Sequence, residues 1–410
     1  MARLKGFQKL TNIDDALSIF LGKLESKRLE PEQVQIRTAL SRVTAEDVVA
    51  DHDLPPFDRS AVDGYAVRAQ DTFKASQFSP KMLRVTRNEQ IGEKEAREIW
   101  TGNPLPEGAD TVIMLEHTKR KKDEIEVWNP STPGENVSKR GEDVHKGQIA
   151  VKSGTRLKPQ HIGLLAALAM THVKVVEKPK VAILSTGDEL VDLGREAKTN
   201  QVIDVNRLIL SGMCWELGAE AIDLGIAKDD LSEIDAKIRE GLRKADMLIT
   251  TGGTSVGRDD LVPTAINRMG TPGVVVHGIA MRPAMPTALA IVQGKPAIVL
   301  SGNPVAAMMG FEVFARKLIQ QMLGVESEPR PMVKARLTRK VPSTLGRRAF
   351  LRVRVFEKEG EFLAEPVRVK GSGTLSTMTE ANGYVMIPES RQGLDEGETV
   401  AVHLFDRIEA

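Results

Sequence analysis

The chain has 410 residues, a formal net charge of +1, 41% hydrophobic and 28% charged residues, and a single cysteine. That length exceeds one ordinary core and predicts about two to four soluble domains. The near-neutral balance gives no field that favours nucleic acid or an anionic membrane, and a lone cysteine excludes an intrachain disulfide.

The first section, to about Asp53, predicts a helix from Ile13 to Leu24, with Thr11 or Asn12 as its cap ahead of Asp14 and Asp15. The N-terminal stretch lacks the apolar core of a signal peptide. The most apolar run, Ile162 to Met170, is too short to span a bilayer. A cytoplasmic protein is expected. "DLPPFDRSAVDGYAVR" then interrupts the pattern with two prolines, and from there to about Gly147 short apolar runs alternate with Gly/Pro turns, predicting a small β-rich unit. The basic run Lys119–Lys122 is followed at once by acids and reads as a solvated hairpin tip. A helix is expected over Pro159–Met170, with "VEKPK" as a linker.

The second half changes rhythm. "VAILST", "AIDLGI", "MLITT", "VVVHGI" and "AIVLS" are short apolar runs separated by helical patterns. Leu231, Ile234, Ile238 and Leu242 fall on one face of a helix. Cys214 lies in a further helical stretch, as a buried apolar residue. Strands alternating with helices predict a largely parallel α/β sheet. After "EPRP" the chain returns to strands, "AFLRVRVF" and "TVAVHLF" among them, which predicts a separate C-terminal β domain.

In such a sheet, ligands bind beyond the carboxyl ends of the strands. Three strands end in loops of similar character. "ILSTGDEL" supplies Ser185, Thr186, Gly187, Asp188 and Glu189; "LITTGGTSVGRDD" supplies Gly252, Gly253, Thr254, Ser255 and Asp260; "VLSGNP" supplies Ser301, Gly302 and Asn303. Glycine turns that feed helix N-termini present N–H groups to an anion, and the carboxylates beside them, with Asp229 and Asp230, suit a hard cation such as Mg²⁺ shared with a phosphate. Asp229 or Asp230 also suits a plain cap for the next helix. No GxGxxG, P-loop, zinc spacing or GxSxG elbow is present.

Taken together, "PPFDRSAVDGYAVR", "WTGNPLPEGADTVIMLE", "RGEDV", "STGDEL", "DVNR", "TGGTSVGRDD" and "SGNPVAA" resemble the molybdopterin molybdenumtransferases, the molybdenum insertases that include MoeA and the E domain of gephyrin. The resemblance implies a multidomain α/β plus β fold: a discontinuous mixed α/β linker domain (1–53 and 148–177), an inserted β-rich domain (54–147), a MogA-like molybdopterin-binding α/β domain (178–326) and a C-terminal β-barrel-like domain (330–410). It implies cleavage of the anhydride in adenylylated molybdopterin, with Mg²⁺, and insertion of molybdate. It also implies a homodimer with its active site between subunits, and a molybdopterin adenylyltransferase as a possible partner.

By motif position, Glu189, Asp229 and Asp260 match acids tied to catalysis and Mg²⁺. Asp63 and Asp143 match further catalytic acids, Thr101 a substrate contact, and Arg352 and Ser372 the molybdate-binding residues. The family's K-x-x-x-K-P-G-K-P segment is replaced here by Gly278, Arg282, Ala284 and Met285, so that Arg282 alone keeps a positive charge and offers phosphate a planar fork. His277, beside it, reads as packed. An adenylyltransferase acting on molybdopterin, a tungstate-inserting relative and a non-catalytic pterin-binding scaffold remain as alternatives.

Overall fold

The computed structural model describes residues 10–25, 28–253, 261–326, 328–367 and 373–408. They form two compact units, one of residues 33–175 and one that joins the N-terminal 32 residues to 176–410.

The 33–175 unit is built around a six-stranded sheet in the order Thr111–Met114, Gly64–Val67, Glu95–Ile99, Lys81–Val85, Glu124–Val127, Thr118–Lys121. Tyr65, Val67, Leu83, Ile113, Ile125 and Val127 close its core. The basic run forms the exposed edge strand of the last hairpin, as its charge predicts. The expected helix over 159–170 runs from Pro159 to Ala167, started by proline at a position where a missing N–H costs nothing.

Two large sheets dominate the larger unit. In the first the order is Glu220–Ala227, Lys180–Thr186, Met247–Thr251, Lys295–Leu300, Ala288–Val292, Gly273–His277. Its first four strands are parallel. The last two run antiparallel to their neighbours, so the sheet is mixed and not wholly parallel. Ala288–Val292 is absent from the sequence reading. A two-residue turn, Gln293 and Gly294, both at positive φ, folds it back onto Lys295–Leu300.

Parallel strands covered on both faces must be apolar throughout, and Met247–Thr251 is buried at every position. Ala182, Leu184, Leu224 and Leu248 pack against Ile234, Ile238 and Leu242 of the Leu231–Lys244 helix. Asp230 caps that helix by accepting from Glu233 N. The Asn206–Glu216 helix packs on the same strands and buries Cys214, whose thiol burial pushes up to about 12. The first helix spans Ile13–Lys23 and is capped by Asn12. Among the described residues no helix is long and apolar enough to cross a membrane.

The second sheet is a closed five-strand barrel. Arg348–Lys358 pairs with Glu361–Pro366, then come Met332–Leu337, Thr399–Leu404 and Gly383–Ile387, and the last strand pairs back onto Arg348–Lys358. Closure leaves no sheet edge for a stray strand. Ala349, Leu351, Val353 and Val355 point into the barrel core, so alternation turns Phe350 and Arg352 outward.

A two-residue strand, Met281–Arg282, leaves the α/β sheet and pairs in parallel with Arg348 and Ala349. It seams barrel to sheet. The seam is backed by Arg348, which donates to Asp14 Oδ2 at 2.7 Å and lies 3.0 Å from Glu389 Oε1.

A charge cluster built on buried Arg207 and Asp204, with the half-exposed Asp192 and Asp223, holds the edge of the α/β sheet. Arg207 donates to Asp204 at 2.6 Å, to both oxygens of Asp223 at 2.7 and 2.9 Å, and to Asp192. Burial opposes its charge, but the three carboxylates hold its pKa above the ordinary arginine value. Asp204 is itself buried. Arg207→Leu strands that carboxylate, which costs about 3–5 kcal/mol. The variant is expected to unfold at a clearly lower urea concentration by circular dichroism, and an unchanged midpoint would show the cluster to be dispensable.

Candidate active site

Sheet order makes Lys180–Thr186, Met247–Thr251 and Lys295–Leu300 neighbours, so the loops that follow them share one crest. They approach closely. Gly252 N donates to Leu300 O at 3.2 Å. A Cβ at Gly252, where φ is +87°, would sit 2.3 Å from Thr186 O, so no side chain fits there. A Cβ at Gly302 would lie 3.6 Å from Gly252 Cα, and one at Gly253 would lie 3.1 Å from Thr186 Oγ1.

The hydroxyls beneath are used internally. Ser185 Oγ and Thr251 Oγ1 are 3.0 Å apart, and Thr186 Oγ1 donates to Thr251 O at 3.4 Å. Asn206, from the "DVNR" motif, donates to Gly302 O at 2.8 Å. Asn303 N donates to Ser301 Oγ at 3.3 Å. Thr254, Ser255 and Asp260 lie outside the described residues.

The acids gather at the Gly187 end of the crest. Gly187 N donates to Ala227 O, and Asp229 N donates to Asp188 Oδ1 at 3.2 Å. Glu189 folds back over Gly187, where a Cβ would meet its Oε2 at 2.6 Å. Crowding by the surrounding loops, and then the negative charge of Asp188 and Glu189, raise the Asp229 carboxyl above the ordinary aspartate value. This is a local excess of negative charge. Among the described residues no group of three or more His, Cys, Asp or Glu side chains is arranged to hold a metal ion.

Beside the crest, between the α/β sheet and the barrel, lies a cleft of ≈ 420 Å³. Among the described residues its polar lining comprises Arg282, Arg347, Arg352, Ser301, Asn303 and Ser343, and none that lines it is a carboxylate. Arg352 is only 6% exposed, and burial alone draws its guanidinium pKa below the ordinary value. The segment that departs from the family's lysine pattern forms one wall, with Ala284 at positive φ and Met285 lining the cleft. Gly278, at the start of that segment, is tied by backbone bonds to Thr287 and Thr11, and His277 ends the preceding strand. A Cβ at Gly373 would lie 3.3 Å from Asn303 Oδ1, which sets Gly373 beside the cleft. Ser372 itself lies outside the described residues.

In the 33–175 unit three motif segments converge on one surface. Asp63 Oδ1 accepts from Thr101 N at 2.8 Å and from Thr101 Oγ1 at 2.7 Å. Arg59–Ser60 pairs with Val137–Ser138, and Ser60 N donates to Asn103 O. Asp143 is exposed, its N–H bonded to Leu54 O. Sequence reasoning passed over the residues that brace this surface. Asp58 accepts from Lys139 Nζ and Arg140 N, Asp53 accepts from Arg140 Nε and Lys146 N, and Ser138 bonds Glu142. The alternating charges of "SKRGED" were the available signal.

An acidic crest beside an arginine-lined cleft, with a sheet on one side and a barrel on the other, defines a multidomain protein with a cationic cleft between two cores. Family models match three stretches of the chain: "MoeA N-terminal region (domain I and II)" over residues 11–169, "Probable molybdopterin binding domain" over 182–321, and "MoeA C-terminal region (domain IV)" over 334–405. A molybdopterin molybdenumtransferase from Bacillus subtilis (strain 168) is 36% identical over 391 residues, covering 92% of this chain and 91% of that protein. Two crystal structures of molybdopterin biosynthesis moeA proteins are similar throughout, each covering 97% of this chain and 100% of the other. One is from Pyrococcus horikoshii OT3 (TM-score 0.83, 33% identity) and one from Pyrococcus horikosii (TM-score 0.81, 39% identity). The chain belongs to the MoeA family.

The two Thr101 donors hold Asp63 below the ordinary aspartate range. A depressed folded-state value means that the stabilising contribution is present above the unfolded pKa and lost as pH falls through the folded one. Thr101→Val removes one donor, so the Asp63 carboxyl is expected to titrate at higher pH by NMR. An unchanged titration would show that the hydroxyl contributes nothing.

Proposed function

We propose that the chain is a molybdenum insertase, a transferase that accepts adenylylated molybdopterin and molybdate, releases AMP and yields molybdenum cofactor. The observation that carries this reading is the separation of charge: among the described residues three arginines and no carboxylate line the cleft, while Asp188, Glu189 and Asp229 cluster at the neighbouring strand-end crest. A substrate with an anhydride and an oxyanion needs both kinds of surface. The molybdenumtransferase name carried by relatives that span nearly the whole chain supports it. The match to the C-terminal region, which lies outside the α/β domain, favours insertion over the adenylyltransferase alternative.

In this reading Arg352 binds molybdate by charge-assisted hydrogen bonds, with Ser372 adding a hydroxyl. Gly187, Gly252, Gly253 and Gly302 bring bare backbone to the pterin phosphate. Ser185, Thr186 and Ser301 fix that backbone, and Thr254, Ser255 and Asn303 contact the substrate. Arg282 anchors a phosphate. Asp63 and Asp143, with Thr101 positioning Asp63, orient the ligand or move a proton.

Mg²⁺ fits the acidic crest. Asp229 is destabilised by neighbouring carboxylates, and this cation takes few protein ligands because waters and substrate phosphates complete its shell. Glu189, Asp229 and Asp260 would hold it. When bound it offsets charge developing on the departing AMP phosphate. The same reading keeps the four-domain division (1–53 with 148–177, 54–147, 178–326, 330–410), a cytoplasmic homodimer with its site between subunits, and a molybdopterin adenylyltransferase as the supplier of substrate.

Purified protein given adenylylated molybdopterin, Mg²⁺ and molybdate is expected to release AMP in step with active cofactor. Arg352→Gln is expected to raise the molybdate concentration needed for half-maximal turnover by about tenfold or more, the worth of a lost charge-assisted bond. Bound substrate with no AMP release would contradict the reading.

A further inference from the structure

The cleft contains arginines in two settings. Arg352 is buried on the outer face of the barrel strand, whereas Arg282 is exposed and Arg347 half-buried, at the rim. The rim pair is placed by the seam. Arg282 is registered against Ala349, two residues beyond Arg347, so the pairing brings the two arginines to the same end of the barrel strand. Sequence neighbours there have different fates. Arg348 is committed to Asp14 and Glu389, while neither Arg347 nor Arg282 forms an ion pair with any described residue, and both line the cleft.

Two guanidinium groups that face one space with no carboxylate among its described lining repel each other, and an anion between them turns that repulsion into attraction. Ser343 adds a hydroxyl on the same wall, held by a 2.7 Å bond from its own N–H to Gln392 O. There is room for more than one ligand group, because ≈ 420 Å³ corresponds to roughly a dozen waters at their share of liquid volume. A single tetrahedral oxyanion at Arg352 leaves most of that space to another group.

We propose that Arg347, together with Arg282 and the Ser343 hydroxyl, forms a second anion subsite at the rim of the cleft, which takes a phosphate group of the substrate while Arg352 holds the oxyanion deeper in. The proposal deepens the molybdenum-insertase reading and rests on it. It transfers the cationic charge missing from the 278–285 wall to the opposite, barrel-side wall. Arg347 is thus a binding residue with no part in the reacting bonds.

The test is equilibrium dialysis of radiolabelled inorganic phosphate against the full chain, with and without saturating molybdate. The wild-type chain is expected to bind phosphate in the presence of molybdate. Arg347→Ala is expected to weaken that binding about tenfold or more and to weaken molybdate binding by a clearly smaller factor, since Arg352 keeps its own contact with the oxyanion. Arg347→Lys is expected to restore part of the phosphate affinity through its point charge. Phosphate binding unaffected by Arg347→Ala, or abolished by molybdate in the wild type, overturns the rim subsite while leaving the insertase reading in place. A wild-type chain that binds neither anion overturns both.

Discussion

The parallel pairing of Met281 and Arg282 with Arg348 and Ala349 is the constraint on which the candidate site depends. Without it the barrel and the α/β sheet would be two cores joined by a linker. With it, the wall from Arg282 to Pro286 faces the barrel strand that carries Arg352. The pairing is reinforced from the N-terminal segment, where Thr11 exchanges backbone bonds with Gly278 and Ala280 and Asp14 meets Arg348. Two hydrogen-bonded residues are a small contact, worth about 0.5–1.5 kcal/mol per bond. Their importance is geometric, since they fix the width of the cleft.

Electrostatics divides the region that this seam creates. On one side the crest concentrates carboxylates, and Asp229 is held above its ordinary value by burial first and then by the charges of Asp188 and Glu189. On the other, the cleft concentrates guanidinium groups, and Arg352 is drawn below its ordinary value by burial. The two sides favour opposite charges: guanidinium groups attract an anion, whereas the carboxylates are relieved only by a cation. Strain of this kind is a reason for a binding site to be less stable than the rest of its fold. By contrast, the charges of the Arg207 cluster are satisfied among themselves, and that cluster is structural.

Much of this was legible in the sequence. The apolar spacing of Leu231, Ile234, Ile238 and Leu242 is a periodicity a helix must bury, and three of the four are buried. Glycine after three strands announced a shared crest, because parallel strands put their carboxyl ends on the same edge. The antiparallel Ala288–Val292 strand escaped notice because "TALAIVQGKPAIVL" reads as one apolar stretch unless Gln293 is given a positive φ. Arg347 escaped because nothing local separates it from Arg348. Only the tertiary partners Asp14 and Glu389, more than 300 and about 40 residues away in sequence, distinguish the committed arginine from the one that lines the cleft. The hydroxyls of Ser185 and Thr186 look like ligand contacts in sequence, yet both are spent within the sheet.

The central claim is that the seam between barrel and sheet builds an oxyanion-binding cleft. Crystals soaked in tungstate test it most directly, since the anomalous signal of the metal locates the anion without reference to activity. The account predicts a peak within hydrogen-bonding reach of the Arg352 guanidinium, in the space bounded by Arg282, Asn303 and Arg347. Tungstate bound elsewhere with that cleft empty would contradict it.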